Sequence, residues 1–298
     1  MEDMQTLILS KPKARRVNWE TIITVIVFHI GAIVALFMFS WQALIVSLVL
    51  LWVAGSLGIG MGYHRLLTHR GYKTPKWVEY ALTIFSTLTL ESGPLQWVTT
   101  HRIHHAHTDG PGDPHTPRDG TWWSHIGWIF TGPAQRHDKA TMERYAPDLL
   151  KDPFHVWLSK WYFIPLIALG LGLLVFGGWS VFMWGIFLRT VFGWHSTWLV
   201  NSATHMWGTQ RFKTTDDSTN NFIVAILTFG EGWHNNHHAY PTAARHGLKW
   251  YEIDVNWYGI RALQLLGLAR SVKLVSAVNM RQAASDAEEQ LEMLKKVA

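Results

Sequence analysis

Of 298 residues none is cysteine, and only 16% are charged. The missing cysteine excludes disulfides, thiolate zinc sites, Cys-ligated iron–sulfur clusters and a cysteine nucleophile. Soluble domains are typically about a quarter charged, so this chain is short of water-facing surface. The shortage is uneven. No Asp, Glu, Lys or Arg occurs from Thr21 through Tyr63, or from Trp161 through Leu188. Hydrophobic residues make up 48% of the chain and aromatics 13%, with 18 Trp.

Each uncharged run is too long for one helix of a soluble core. Roughly 20 apolar residues, at a rise of about 1.5 Å each, cross about 30 Å of hydrocarbon. The first run divides near Ser40-Trp41-Gln42 into spans at about 21–39 and 43–61. The second gives a span at about 161–177, a turn at Gly177-Gly178-Trp179-Ser180 and a span at about 181–200 that carries Arg189 and His195. The expected fold class is therefore an all-α membrane protein with four transmembrane helices in two hairpins.

The net charge of +5 suits a membrane protein or a nucleic-acid binder, and its distribution decides between them. The hairpin turns carry no basic residue. Lys11, Lys13, Arg15 and Arg16 precede the first span, and eleven Lys and Arg lie between Gly62 and Lys160. The positive-inside rule then puts both termini and the long middle segment in the cytoplasm. No basic stripe interleaved with aromatics appears, so no nucleic-acid partner is expected. The polar start of the chain, followed by an apolar run too long for a signal peptide, predicts no cleaved leader.

The expected organisation is a cytoplasmic segment at 1–20, a membrane domain at 21–270 and a helical tail at 271–298. The cytoplasmic helical cap is drawn from 62–160 and 201–270. A helix is expected over 76–92 and a loop over Asp109–Gly120, with its Gly-Pro-Gly-Asp-Pro run. Residues 121–130, rich in aromatics, are expected at the interface. Bacterial inner membrane and endoplasmic reticulum are not distinguished.

Nine of the 17 His fall into four sets: His64 with His69; His101, His104 and His105; His205, four residues after Asn201; and His234, His237 and His238. Separations of three and four put side chains on one helix face. His64 and His69, five apart, would be turned about 140° from one another on a regular helix. They converge only if the helix ends or bends, or if they serve opposite sides of one ion. Nine clustered imidazoles repel as they protonate, and metal relieves that crowding. Nine nitrogens exceed one tetrahedral zinc and suit two ions; ligand type alone does not choose the metal. His29, His115, His125, His137, His155 and His246 stand apart and read as ordinary hydrogen-bonded residues. His107, three after His104, is a candidate for a place behind the ligands. His195, inside a span, is a functional candidate or faces the bundle interior.

His64-Arg-Leu-Leu-Thr-His69, His101-Arg-Ile-His-His105 and His234-Asn-Asn-His-His238 resemble the three histidine boxes of membrane fatty-acid desaturases. The likeness is strongest to the stearoyl-CoA (Δ9) branch. Asp113-Pro-His115, Ser124-His-Ile-Gly-Trp128, Asn201-Ser-Ala-Thr-His205 and Gly230-Glu-Gly-Trp-His234 add to it, across about 20–270. The resemblance implies a di-iron, O2-dependent enzyme that places a cis double bond, at Δ9, in a long saturated acyl chain. By matching position, His64, His69, His101, His105 and His237 would bind one iron. His104, His205, His234 and His238 would bind the other, with Asn201 reaching it through water. Trp198 would line the substrate tunnel.

Two departures bear on the headgroup. An Arg-Asp pair that contacts CoA in that branch is replaced here by Thr99 and Thr100, and Ile129 to Pro133 carries no basic pair. Acyl-CoA is the expected substrate, with acyl-lipid and acyl-carrier-protein substrates as alternatives. No cytochrome b5 domain is recognisable, so a separate donor (cytochrome b5, ferredoxin or similar) is expected to supply electrons. Taking hydrogens from mid-chain offers no handle for acid–base side chains, so an oxidising metal centre must do it. Neutral ligands call for carboxylates behind them, and Asp109, Asp113 and Glu231 are the candidates. Two other classes compete. A related di-iron hydroxylase would use the same ligands. A metal transporter would place its ligands at mid-membrane, whereas these sets lie outside the spans.

Overall fold

A computed structural model describes residues 17–131 and 136–276. It is helical throughout; among the described residues only isolated β-bridges occur, such as Thr209 with Asn220. The N-terminal segment at 1–16 and the tail beyond 276 lie outside the described residues.

The first span, α1, runs Trp19–Leu36. Asn18 caps it, its Oδ1 accepting from Thr21 N at 3.3 Å. Ser40 Oγ caps α2 by accepting from Ala43 N at 3.1 Å. This helix covers Trp41–Leu51 in ordinary α winding and continues through Trp52–Thr68 in π winding. It thus carries the chain past the expected boundary at residue 61 and through the first histidine box. Helix α3 covers Lys76–Thr87, shorter than the expected 76–92, and α4 covers Pro94–His107. Short turns at Trp123–Gly127 and Trp128–Phe130 follow. The small helices α5 (Lys139–Tyr145), α6 (Pro147–Leu150) and α7 (Pro153–Lys160) close this part of the chain.

Among the described residues, three helical stretches are long and apolar enough to cross a membrane: Trp19–Leu36, Trp41–Thr68 and Ile164–His205. The third begins with α8 (Ile164–Phe182), passes through a π stretch at Met183–Leu188 and ends in α9 (Arg189–Asn201) and a tight turn at Ala203–His205. It is not one rod. Gly178 has φ +73° and ψ −175°, outside the helical region and open to glycine without a Cβ clash. Beyond it the chain folds back: a Cβ on Gly185 would sit 2.7 Å from Leu173 Cδ1, which a straight helix would hold about 18 Å away. The tips of the two hairpins meet, Ser180 Oγ donating to Met38 O at 2.5 Å beside Ser40.

The outer faces of these stretches are apolar and uncovered. Phe37, Val175 and Phe176 are 86%, 74% and 91% exposed. Bare apolar area on this scale marks a lipid-facing surface. One close-packed core lies around Val25, Ala32, Trp128, Val191 and Trp194, between α1 and α9, and a second around Tyr63, Leu66, Leu82, Val98 and Ile260 at the π-wound end of α2. The remaining helices, α10 (Phe222–Leu227), α11 (His234–Ala239) and α12 (Val255–Leu265), press against that end. Gly60 makes room for α12, since a Cβ there would lie 2.1 Å from Asn256 Nδ2.

Candidate metal centre

The π winding resolves the first box. An i→i+5 hydrogen bond joins His69 N to His64 O at 3.1 Å, so residues five apart close one turn and share a face. The two rings lie 4.7 Å apart by centroid. On α4, His101, His104 and His105 follow the expected three- and four-residue spacing. His205 hangs from the turn that ends α9, and α11 presents His234, His237 and His238.

These side chains gather into two nests. The side-chain nitrogens of His64, His69, His101, His105 and His237 come within 4.8 Å of one another, and so do those of His104, His205, His234 and His238. In the first nest His64 Nε2 and His237 Nε2 are 3.1 Å apart, His237 Nε2 and His105 Nε2 3.0 Å, and His105 Nε2 and His101 Nε2 3.2 Å. In the second, His234 Nε2 and His205 Nε2 are 3.0 Å apart. Imidazoles bound at about 2.1 Å to one ion, at right angles, have nitrogens about 3.0 Å apart. The nests have that spacing. His69 Nε2, His104 Nε2 and His238 Nε2 are buried with no hydrogen-bond partner in the protein. Burial, reinforced by neighbouring imidazoles, pushes His69, His101, His105, His234, His237 and His238 well below the ordinary histidine range. They are neutral at pH 7, the form in which imidazole binds metal. The donor set fits two transition-metal ions.

Carboxylates stand behind four of the rings. His64 Nδ1 lies 2.5 Å from Glu231 Oε2, His104 Nδ1 3.0 Å from Asp113 Oδ2 and His205 Nδ1 2.9 Å from Asp109 Oδ2. The fourth, 3.1 Å from His238 Nδ1, is Asp216 Oδ2. Each contact turns Nε2 inward, the arrangement that orients metal-binding histidine. Asp216 escaped the sequence reading because it sits in an irregular loop, far along the chain from any box. Burial alone would raise Glu231, but Arg65, His64 and His246 beside it hold its carboxyl well below the usual range. Arg65 is fully buried: Nε donates to Glu231 Oε1 at 3.0 Å, and Nη1 to Asp254 Oδ2 and Ala244 O, both at 2.9 Å.

Several histidines read as isolated are not. His246 stacks on His237 with centroids 4.4 Å apart, and its Nδ1 is 3.2 Å from Glu231 Oε2. His115 packs on His104 at 4.4 Å. Both reach the nests through loops whose path local spacing does not encode. His107, by contrast, is exposed, with Nε2 3.3 Å from the Tyr145 hydroxyl, and takes no place behind the ligands. His29, His195 and His125 form a chain: His29 Nε2 is 3.1 Å from His195 Nε2, and His195 Nδ1 is 3.0 Å from His125 Nε2. Arg189 points inward and donates to Leu88 O at 2.7 Å.

Two lobes of open space lie beside the first nest. One lobe, of about 520 Å³ counting space open to solvent, is the more polar and includes Glu91, His115, Trp198 and Asn201. The other, of about 600 Å³, is apolar and includes Leu51, Ile59, Leu227 and Phe229. Trp97, His101, Thr197 and Asn201 line both.

The sequence profile described as "Fatty acid desaturase" matches residues 39–265. An sn-1 stearoyl-lipid 9-desaturase of Anabaena variabilis is 50% identical over 262 residues, 87% of this chain and 95% of that protein. An sn-2 palmitoyl-lipid 9-desaturase of Nostoc sp. (strain 36) is 47% identical, covering 86% of this chain and 90% of the relative. An acyl-CoA 5-desaturase of Anemone leveillei is 42% identical, covering 91% and 87%. The chain belongs to the fatty acid desaturase family. It is an oxidoreductase that desaturates fatty acyl chains.

Proposed function

We propose that this desaturase places a cis double bond at carbon 9 of a long saturated acyl chain esterified to a membrane lipid. The double-nest geometry carries the reading: nine imidazoles in sets of five and four, most held neutral by burial, with carboxylates behind four. His64, His69, His101, His105 and His237 would hold one iron. His104, His205, His234 and His238 would hold the other, with Asn201 contributing through water. When bound, the two irons supply the oxidising power that activates O2, using two electrons from a separate donor. The protein's own part is placement. Glu231, Asp113, Asp109 and Asp216 fix the rings and offset the metal charge. The apolar lobe takes the alkyl tail, excludes water and, by its depth, selects the carbon that stops beside His101 and Asn201, which line both lobes. Trp198 walls the polar lobe.

The lipid-linked substrate is favoured over acyl-CoA by what surrounds Thr99 and Thr100. Thr99 is fully buried, and Thr100 Oγ1 contacts His137 Nε2 at 2.7 Å, so neither offers a charge to a CoA phosphate. The stearoyl- and palmitoyl-lipid relatives point the same way. The membrane topology proposed with this reading has four spans, two per hairpin, with the cap and both termini in the cytoplasm. The fold-back at Gly178 supports the hairpin count, and the basic residues support the orientation. The domain is taken as 21–270.

Expression in a desaturase-deficient host, with separation of lipid classes and mass-spectrometric double-bond location, tests the reading. New 9-monoenes should appear first in intact glycerolipids. Their first appearance in acyl-CoA, or a hydroxylated product, would overturn it.

A further inference from the structure

We infer that binding of the acyl chain takes up a proton at Glu91, a carboxyl group built into the wall of the substrate cavity. The inference rests on the acyl-substrate reading above. Glu91 lies in the connection between α3 and α4, flanked by Leu90 (φ +58°) and Ser92 (φ +93°). Two non-glycine residues in the left-handed region are strained, and such strain persists only where the surroundings enforce it. Here they do. Arg189 Nη1 donates to Leu88 O at 2.7 Å, Trp194 Nε1 to Thr89 O at 2.7 Å, and the Tyr63 hydroxyl to Ser92 O at 3.3 Å.

The braced loop sets the carboxyl in the wall of the polar lobe, bonded to two residues that line both lobes. Thr197 Oγ1 donates to Glu91 Oε1 at 3.0 Å, and Trp97 Nε1 to Oε2 at 3.3 Å. Trp97 and Thr197 line both lobes, and the Trp97 ring stacks on His101 with centroids 5.1 Å apart. Among the described residues no Lys or Arg lines either lobe. The titratable groups facing this region are His101 and His115 in the wall of the polar lobe, His64, Glu231 and His234 in the wall of the apolar one, and Tyr63 from α2. None is a permanent cation, and Arg189 is committed through Nε and Nη1 to the carbonyls of Gly185 and Leu88.

Beyond the two donors from Thr197 and Trp97, only water in the cavity can solvate a charged Glu91. Burial already pushes its carboxyl up to about 7, against the bonds from Thr197 and Trp97. An alkyl chain in the cavity replaces that water with hydrocarbon, and the neutral acid is then the favoured form. Proton uptake should approach one per chain above pH 7 and vanish below pH 6. Apparent affinity should fall by up to about tenfold per pH unit above 7.

The test titrates the full-length, iron-loaded protein without O2. A distearoyl glycerolipid and stearoyl-CoA serve as separate probes. Calorimetry in buffers of different ionisation enthalpy counts the protons. Wild type should bind about tenfold more weakly at pH 8 than at pH 6, with near-stoichiometric uptake at pH 8. Glu91→Gln should bind with no uptake and no pH slope. Thr197→Val removes a donor from the charged form and should move the midpoint upward, which tests the idea even if Glu91→Gln fails to fold. A flat wild-type profile, a slope that survives in Glu91→Gln, or an unmoved midpoint in Thr197→Val overturns the inference. Failure of both probes to bind at any pH overturns the acyl-substrate reading, and this inference with it.

Discussion

The two imidazole nests look alike from the inside and differ behind. The five-histidine nest is backed by Glu231, whose charge is matched by the buried Arg65, and its first two rings ride one continuous helix. The four-histidine nest is backed by Asp109, Asp113 and Asp216, all from loops. Among its neighbours, Arg118 is spent on Asp217 at 2.8 Å instead. The first nest thus has a buried cation behind it, which Glu231 shares with Asp254. The second leaves negative charge for its imidazoles, and for whatever ion they hold, to offset. The contrast predicts that the first nest holds its shape without an ion better than the second does.

The largest effects should not separate the nests. His104→Ala and His237→Ala each remove an inward nitrogen, and both should lose O2-dependent desaturation entirely while still inserting in the membrane. Full product formation by either would contradict the ligand assignment, and iron analysis shows which ion is lost. Next comes Arg65→Met, which leaves Glu231 and Asp254 buried without their cation. Breaking such a pair costs about 3–5 kcal/mol, so the folded yield should collapse, as read by size-exclusion profile. Asp216→Asn should instead leave the fold intact and cost about 10–100-fold in metal affinity. Equal loss of folded protein in both variants would erase the distinction between the nests.

Acidification should act on both. The six depressed histidines bind fewer protons folded than unfolded, where the value is about 6.5. Stability of the metal-free protein should be complete above that pH and fall as pH drops toward the lowered folded values, measured as melting temperature against pH. The smallest effect is the most discriminating. On chelation, amide exchange should quicken in 109–117 and 207–221 more than in 52–68. Equal protection throughout would mean that the loops need no ion.

Much of this was legible in the chain. The uncharged runs marked the apolar stretches, and three- and four-residue spacing marked the rings of α4 and α11, because a helix makes spacing into geometry. What the sequence hid depends on other geometry. The five-residue gap between His64 and His69 is uninformative until the winding is known. Asp216, His115 and His246 arrive on loops, where no period predicts direction. Glu231 was accessible because it lies three residues before a ligand. Helix α2 outran its expected end because lack of charge marks where lipid stops, not where hydrogen bonding stops.

The winding of α2 also limits how the centre can be copied or altered. Grafted onto an ordinary helix, the first box would aim one imidazole at the ions and the other at the scaffold; a faithful transplant would need the gap shortened to four. Conversely, deleting one residue between Arg65 and Thr68 here would preserve every histidine and still unseat one of them. Variation in this short stretch should therefore be read by its length before its chemistry.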